Sequence, residues 1–408
     1  MSSTTGIEYE FALIDEQGYL ANRAKEIIED PLNDGSIVDE SNHARVEVNS
    51  DPANTVKELH RGILPKLNLL EEICDKHDIS VSTVSELGGG ESQQRHDKEK
   101  WSLYIPIIGQ EANDLKRRIS GIHGHFSQSP NHLLEQMWLF TALDPLSYAT
   151  TSTSPMLNGI NEGVNCHRIN ATRNQMFMDY PLHAQLQPYV QSIEEINIRD
   201  NIRFNQWLNA PGTDREAFKE LFKPESTGYH PIRKRDSIGE TGTWEIRSFD
   251  TTPLDISLGM IALYKGCNDR ITKEDIPVRI SGTDGVYSFD NKEVVLPNYT
   301  TLKALETEAI KYGLMSNNVA QYLSDTLKFS SEGLPEEDLP YLTPIFGMIQ
   351  TRMNPSNKIM EHLKEKGPYP NPEKAAAQGQ LFMRQEYLKS LDYQPHKQQS
   401  YLEQCVGC

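Results

Sequence analysis

Gly6-Ile7-Glu8-Tyr9-Glu10-Phe11 is the stretch whose reading decides the fold of this chain. Ile7, Tyr9, Phe11 and Leu13 alternate with Glu8, Glu10 and Ala12, a period of two that reads as a β-strand over residues 5 to 14. Successive side chains leave a strand on opposite faces, so Glu8 and Glu10 project the same way. Three further segments repeat the device, with charged or metal-binding side chains at i and i+2: Arg45-Val46-Glu47-Val48-Asn49, Ile122-His123-Gly124-His125-Phe126 and Trp244-Glu245-Ile246-Arg247. Carboxylates, imidazoles and a guanidinium on one sheet face are costly to bury unless they hold cations and an anionic ligand. The pattern points to a site for metal ions and a nucleotide.

The 408 residues suffice for a large core, and on length alone two or three domains are expected. A net charge of −18 supplies no extended basic surface for phosphates and argues against a general nucleic-acid binder. No apolar run is long enough to span a membrane. The N-terminus lacks a basic region followed by an apolar stretch, so no secretory signal is expected and a cytoplasmic location is the default. Cys74, Cys166, Cys267, Cys405 and Cys408 are too few and scattered for a disulfide framework and read as free thiols. Cys405-Val406-Gly407-Cys408 has the spacing of a redox pair or half a metal site. With no following helix and no second Cys/His pair nearby, it reads as a flexible tail.

Between the motifs, Val56, Leu59, Ile63, Leu67, Leu70 and Ile73 recur at steps of three and four, which predicts an amphipathic helix from Asn54 to His77 with Asn54 as its cap. Ser85 to Lys100, with Gly88-Gly89-Gly90 and a dense polar run, reads as a mobile loop; it lacks the lysine and helix of a P-loop. Helices are expected over Asn131 to Leu143, His183 to Leu208 and Ser257 to Ile271. Strand-like stretches Val278 to Gly282 and Gly285 to Phe289 flank a Gly-Thr-Asp-Gly turn. Beyond Asn298 helical patterns broken by Pro-rich connectors predict a helical C-terminal region. Four motifs so far apart in sequence must converge in one sheet, which predicts an α+β fold with an antiparallel sheet.

Glu8, Glu10, Glu47 and Glu245 are hard oxygen donors that suit Mg²⁺ or Mn²⁺, and Glu40, seven residues before Glu47, raises the count to more than one ion. His123 and His125 share a face. His123 is the better metal candidate, and zinc held by both is an alternative to a multi-magnesium site. Arg247 offers a bidentate fork to a transferring phosphoryl group, with a structural ion pair to Glu245 as the plain alternative.

Gly6-Ile-Glu-Tyr-Glu-Phe, Arg45-Val-Glu-Val-Asn, Ser120-Gly-Ile-His-Gly-His-Phe-Ser, Ser154-Pro-Met-Leu-Asn-Gly159 and Trp244-Glu-Ile-Arg-Ser-Phe-Asp250 together resemble the ordered motifs of glutamate–cysteine ligases and related carboxylate-amine ligases. These belong to the glutamine synthetase-like superfamily, and the resemblance spans residues 5 to 255. It implies a curved antiparallel sheet in a catalytic domain over 1–297, followed by a mainly helical region over 298–408. It also implies an ATP-dependent ligase of glutathione biosynthesis: divalent ions bridge ATP and the acid, the γ-phosphoryl group passes to a carboxylate, and an amine attacks the acyl phosphate to give an amide. Glutamate and cysteine are the leading substrates. A ligase for another amine and a non-catalytic ATP- and metal-binding relative are the alternatives, with a metal-dependent hydrolase behind them.

Carried over by position, Glu8, Glu10, Glu40, Glu47, His123 and Glu245 are the implied metal ligands, with Glu10 also beside the nucleotide. Arg247 and Glu245 are the implied catalytic pair, with Arg247 at the phosphates. Arg168, with Arg173 as second candidate, is the implied holder of a substrate carboxylate. His125 is also implied at the substrate, and both it and Cys166-His167 depart from the family pattern near the substrate pocket.

Overall fold

The computed structural model describes residues 3–86, 88 and 102–395. Strict alternation over Thr5–Ile14 produces β1, which buries Ile7, Tyr9, Phe11 and Leu13 and leaves Glu8 and Glu10 half-buried on the other face. Around it assemble β2 (Ile37–Asp39), β3 (Arg45–Asn49), β4 (Ser80–Ser82), β5 (Gly121–Ser127), β6 (Ile232–Arg235) and β7 (Thr243–Asp250). The order is β2-β3-β1-β5-β7-β6, with β4 pairing the far end of β1, and every pairing is antiparallel. The fold is α+β, as the motif spacing predicts.

Register brings the polar motifs into line. Glu10 stands opposite Glu47, Glu8 opposite His123, and His125 opposite Glu245, which also faces Arg233 across β6. One irregularity matters. Ile122 pairs with Phe249 and Gly124 with Ile246, so a single residue of β5 spans two of β7, a β-bulge at Arg247-Ser248. The extra residue resets the alternation, and Trp244, Ile246 and Phe249 all end in the core.

Beneath the sheet lie α1 (Val56–Lys76), α2 (Leu133–Thr151) and α5 (Leu254–Lys273), and α3 (His167–Asn174) and α4 (Ile193–Leu208) fall between α2 and α5 in the chain. α1 buries the six apolar residues that the periodicity selects. Its cap is Thr55, not Asn54: Thr55 Oγ1 accepts from the N–H of Glu58, while Glu58 reaches back to the N–H of Asn54. α2 and α5 are buried nearly all round and form the central layer, joined by a 2.7 Å hydrogen bond between Ser147 and Tyr264. Trp244 Nε1 donates to Gln136 at 3.1 Å and fastens β7 to α2.

The helix expected from His183 begins only at Ile193, because Pro188 interrupts the preceding segment and Ser192 supplies the cap for Glu195 N–H. The strand-like pair after Val278 does not form a hairpin. β8 (Val278–Ile280) and β9 (Ser288–Phe289) both pair with β10 (Val294–Leu296), which inserts between them, parallel to β8 and antiparallel to β9.

After residue 298 the chain is helical: α6 (Tyr299–Tyr312), α7 (Asn317–Gly333), α8 (Thr343–Thr351), α9 (Pro355–Lys366) and α10 (Pro372–Leu391). Of these helices α6, α7, α8 and α10 share the main core cluster with β1 and α1, through Tyr322, Ile345 and Tyr387 among others, while α9 packs Ile359 and Leu363 in a smaller cluster with Val84 and Met156. Cys74, Cys166 and Cys267 are free and buried. The triple glycine, all but Gly88, and the Cys405/Cys408 tail lie outside the described residues. Among the described residues no helix is long and apolar enough to cross a membrane.

Candidate active site

The polar face of the sheet carries two groups of three donors. Glu8, His123 and Glu245 bring one ligand atom each within 4.8 Å of one another, and Glu10, Glu40 and Glu47 do the same. β1 contributes to both groups, β5 supplies His123, β7 supplies Glu245, and β3 with the turn after β2 supplies Glu47 and Glu40. His123 bridges them: Nδ1 lies 2.7 Å from Glu8 and 3.9 Å from Glu245, and Nε2 lies 4.0 Å from Glu10. His125 meets the second oxygen of Glu8 through Nε2 at 3.1 Å, and its Nδ1 is 3.0 Å from Thr243 Oγ1.

The two groups differ electrostatically. Burial would raise the Glu8 carboxyl, but its bonds to His123 and His125 outweigh that and hold it well below the usual carboxylate range. Burial, reinforced by the negative charge of Glu10, pushes Glu40 upward, and burial with the charges of Glu40, Glu10 and Glu8 does the same to Glu47. Glu10 is held by the Gly121 N–H at 2.7 Å and Glu47 by Asn49 Nδ2 at 2.8 Å, so the carboxylates are positioned but not neutralised. Carboxylate oxygens crowded against their own repulsion, with one imidazole, fit hard divalent cations such as Mg²⁺ or Mn²⁺.

Around Glu245, 1 % exposed, three guanidiniums converge. Arg247 bonds Oε1, Arg233 Nη1 lies 3.7 Å from it, and Arg235 Nη1 donates to Oε2 at 2.8 Å. Although burial opposes it, these cations keep Glu245 ionised. The Arg247 guanidinium also lies over the Tyr229 ring, 5.2 Å from its centre. Arg233 and Arg235 were not among the sequence candidates, yet Arg233-Lys234-Arg235 carries the same i, i+2 signal as the four motifs. The signal was masked by the absence of apolar alternation in the polar, Pro- and Gly-containing segment around it.

Arg168, on α3, is brought to the rim of the sheet. Its Nη1 is 3.3 Å from Asp250, its Nη2 donates to the Arg247 carbonyl at 2.9 Å, and a Cβ on Gly121 would sit 2.3 Å from Nη2. Arg173 is drawn into a separate buried network with Asp144 at 2.7 Å, Ser248 at 3.2 Å and Glu306. A cavity of about 910 Å³ opens at the other end of the polar face, lined by Gly6, Glu8, Asn49, His125, Gln128 and Gly242 among others. It gives the Glu8 and His125 side chains access to a ligand of nucleoside size.

Residues 4–281 match the family model described as glutamate-cysteine ligase family 2. Among solved structures, the glutamate–cysteine ligase of Francisella tularensis in complex with AMP is similar at 14 % identity, with a TM-score of 0.56 over 100 % of this chain and 95 % of that one. A bifunctional glutathione synthetase from Pasteurella multocida is similar at 13 % identity and a TM-score of 0.61, over 95 % of this chain and 52 % of the other. At these identities the likeness is one of fold. No curated protein matches the chain.

Proposed function

This chain belongs to the glutamate–cysteine ligase family 2, and from that membership we propose that it is an ATP- and Mg²⁺-dependent carboxylate–amine ligase with glutamate as the acid and cysteine as the leading amine. The observation that carries the reading is the pairing of two three-donor groups on one sheet face with three guanidiniums around Glu245. Glu8, His123 and Glu245 would hold one ion, and Glu10, Glu40 and Glu47 another. Bound Mg²⁺ would offset phosphate charge and draw the γ-phosphoryl group and the acid carboxylate together.

The remaining work falls to the protein's own side chains. Arg247, Arg233 and Arg235 present fixed N–H donors where charge develops on the transferring phosphoryl group, and their common anchor on Glu245 orients them before substrate arrives. The cavity beside His125 and Gln128 takes the nucleoside end of ATP, which leaves the opposite rim, at Gly121 and Arg168, for the acid. Transfer to the acid carboxylate gives an acyl phosphate; the amine, in its unprotonated form, attacks the carbonyl carbon and phosphate leaves. Arg168 holds the strand end beneath the acid, and Arg173 belongs to the frame behind it.

The test is phosphate release from ATP and Mg²⁺ with glutamate, measured with and without cysteine and with a panel of other amines. Cysteine-dependent release with γ-glutamylcysteine found by mass spectrometry supports the full reading. Dependence on a different amine keeps the ligase and replaces its acceptor. No release with any acid and amine removes the enzymatic reading.

A further inference from the structure

Arg247, one of the three guanidiniums assigned above to the phosphoryl group, stands in the β-bulge of β7. Ile122 pairs with Phe249 and Gly124 with Ile246, so His123 of β5 faces both Arg247 and Ser248. A bulge interrupts the ladder and bends its strand, so the aim of its side chains depends on what else holds it. Arg247 is held through its backbone on both sides. Its N–H donates to the Pro231 carbonyl at 2.9 Å, and its own carbonyl accepts from Arg168 Nη2 at 2.9 Å. Arg168 is paired with Asp250 at 3.3 Å, and Asp250 accepts from Ser154 Oγ at 2.6 Å and from the Thr153 N–H at 3.0 Å.

Ser248 is held from the helix layer. Its hydroxyl donates to Asp144 Oδ1, on α2, at 2.5 Å and accepts from Arg173 Nη2, on α3, at 3.2 Å. The same Nη2 donates to Asp144 Oδ2 at 2.7 Å, and Arg173 Nη1 bonds Glu306 on α6. Ser248, Asp144, Arg173 and Glu306 are all buried, so water does not compete for these bonds. A hydroxyl donating to a buried carboxylate makes a stronger bond than one between neutral groups, and here three helices stand behind it.

A buried Ser–Asp bond by itself is an ordinary way to satisfy a core carboxylate. Its place in the strand gives this one a further consequence. The bulge returns Phe249 to the core, while the Arg247 side chain stays on the polar face beside Glu245 and Tyr229. Ser248 is where the alternation breaks, so its tether fixes the backbone from which the Arg247 side chain starts. We propose that Ser248, tethered by Asp144 and Arg173, is a positioning residue: it fixes the bulge that aims Arg247 at the transferring phosphoryl group. The inference rests on the ligase reading. Ser248 touches no substrate and acts through Arg247, so loss of its hydroxyl falls on the chemical step and spares substrate binding. Without that hydroxyl Asp144 keeps its ion pair with Arg173, and the core charges stay matched.

The experiment compares the wild type with Ser248→Ala, Arg247→Lys and the variant carrying both. Ser248→Cys, whose thiol fills the place of the hydroxyl and donates only weakly, is run beside Ser248→Ala and replaces it if alanine does not fold. Gly266→Ala, at the contact of α5 with α7, is the control for lost stability. Turnover is read by phosphate release and folding by thermal melting. Nucleotide binding is read by calorimetry with Mg²⁺ and either ADP or ADP-aluminium fluoride, a mimic of the transferring phosphoryl group. Ser248→Ala is expected to lower kcat by about ten-fold or more, as a misaimed group does, with KM for ATP and for the acid within about two-fold of the wild type. It should weaken ADP-aluminium fluoride by a similar factor and leave ADP binding unchanged. In the Arg247→Lys background the loss should shrink below about two-fold, because both changes remove one interaction. An undiminished loss in that background overturns the proposal, and so does a kcat that falls no further in folded Ser248→Ala than in Gly266→Ala. If the wild type releases no phosphate with any acid and amine, the ligase reading falls and calorimetry decides alone. Weaker ADP-aluminium fluoride binding in Ser248→Ala then upholds the aiming of Arg247, and equal binding, or none by the wild type, overturns it.

Discussion

Glu245 accepts from Arg247 and Arg235 with Arg233 3.7 Å away, but can neutralise only one of the three guanidiniums, and the excess positive charge faces the donor groups proposed to hold cations. That excess is what an incoming polyphosphate would offset. Arg235 is the most exposed of the three side chains, at 31 %, so its loss should tell on chemistry more than on folding. Arg235→Ala is expected to lower kcat by roughly 10²–10³, the cost of removing one fixed donor from a developing charge. Its melting temperature should stay near that of the wild type, and phosphate release beside a thermal melt checks both. Glu8→Gln keeps the shape and removes the charge that holds His123 and His125. We expect it to abolish Mg²⁺-dependent turnover, with wild-type turnover removing Glu8 from the mechanism. The four motif pairs were legible because period two is a local property, visible wherever apolar partners mark the opposite face. Arg233 and Arg235 share the period without those partners, and only the pairing of Arg233 with Glu245 across β6 and β7 brings them into the site.

Among the elements, α5 and α7 cross with their backbones in close approach. A Cβ on Gly266 would lie 2.3 Å from the Ser330 carbonyl oxygen and 2.2 Å from its hydroxyl, so only glycine lets the two backbones meet. Gly266→Ala is expected to cost about 1–3 kcal/mol, the usual penalty of overpacking, read as a lowered urea midpoint. α3 is tied to α2 and α6 by Arg173, whose guanidinium serves Asp144 and Glu306, both buried. Replacing it with methionine leaves buried Asp144 without a cation, with only the Ser248 hydroxyl donating to it, while Glu306 keeps Lys303; about 3–5 kcal/mol is expected by urea unfolding. Helix positions were readable from apolar spacing. The β-bulge at Arg247-Ser248 was not, because strict alternation through β7 would have put Phe249 on the same face as Glu245 and Arg247.

At the scale of the whole molecule, stability should fall with acid. His183 is fully buried and stacks on Trp207 with ring centres 4.1 Å apart; burial, aided by the nearby Arg203 charge, depresses it from 6.5 to about 3. As pH falls below 6.5 the unfolded chain takes up this proton and the folded chain does not, so stability present at neutral pH is lost toward pH 3, at about 1.4 kcal/mol per pH unit for one such group. His183→Phe, which keeps a stacking ring and cannot titrate, is expected to flatten the decline in urea stability between pH 7.5 and 5. An unchanged slope would assign the decline to other groups. By itself the sequence determined that strands with paired polar side chains exist, that helices separate them, and that hard-oxygen chemistry is present, because each depends on side-chain identity and spacing within a few residues. Only the tertiary structure decided that Glu8 meets His123 across 115 positions, that three arginines share Glu245, and that Arg173 turns into the frame. Cross-strand register and burial depend on what the distant parts of the chain place opposite each residue, and local pattern carries no record of that.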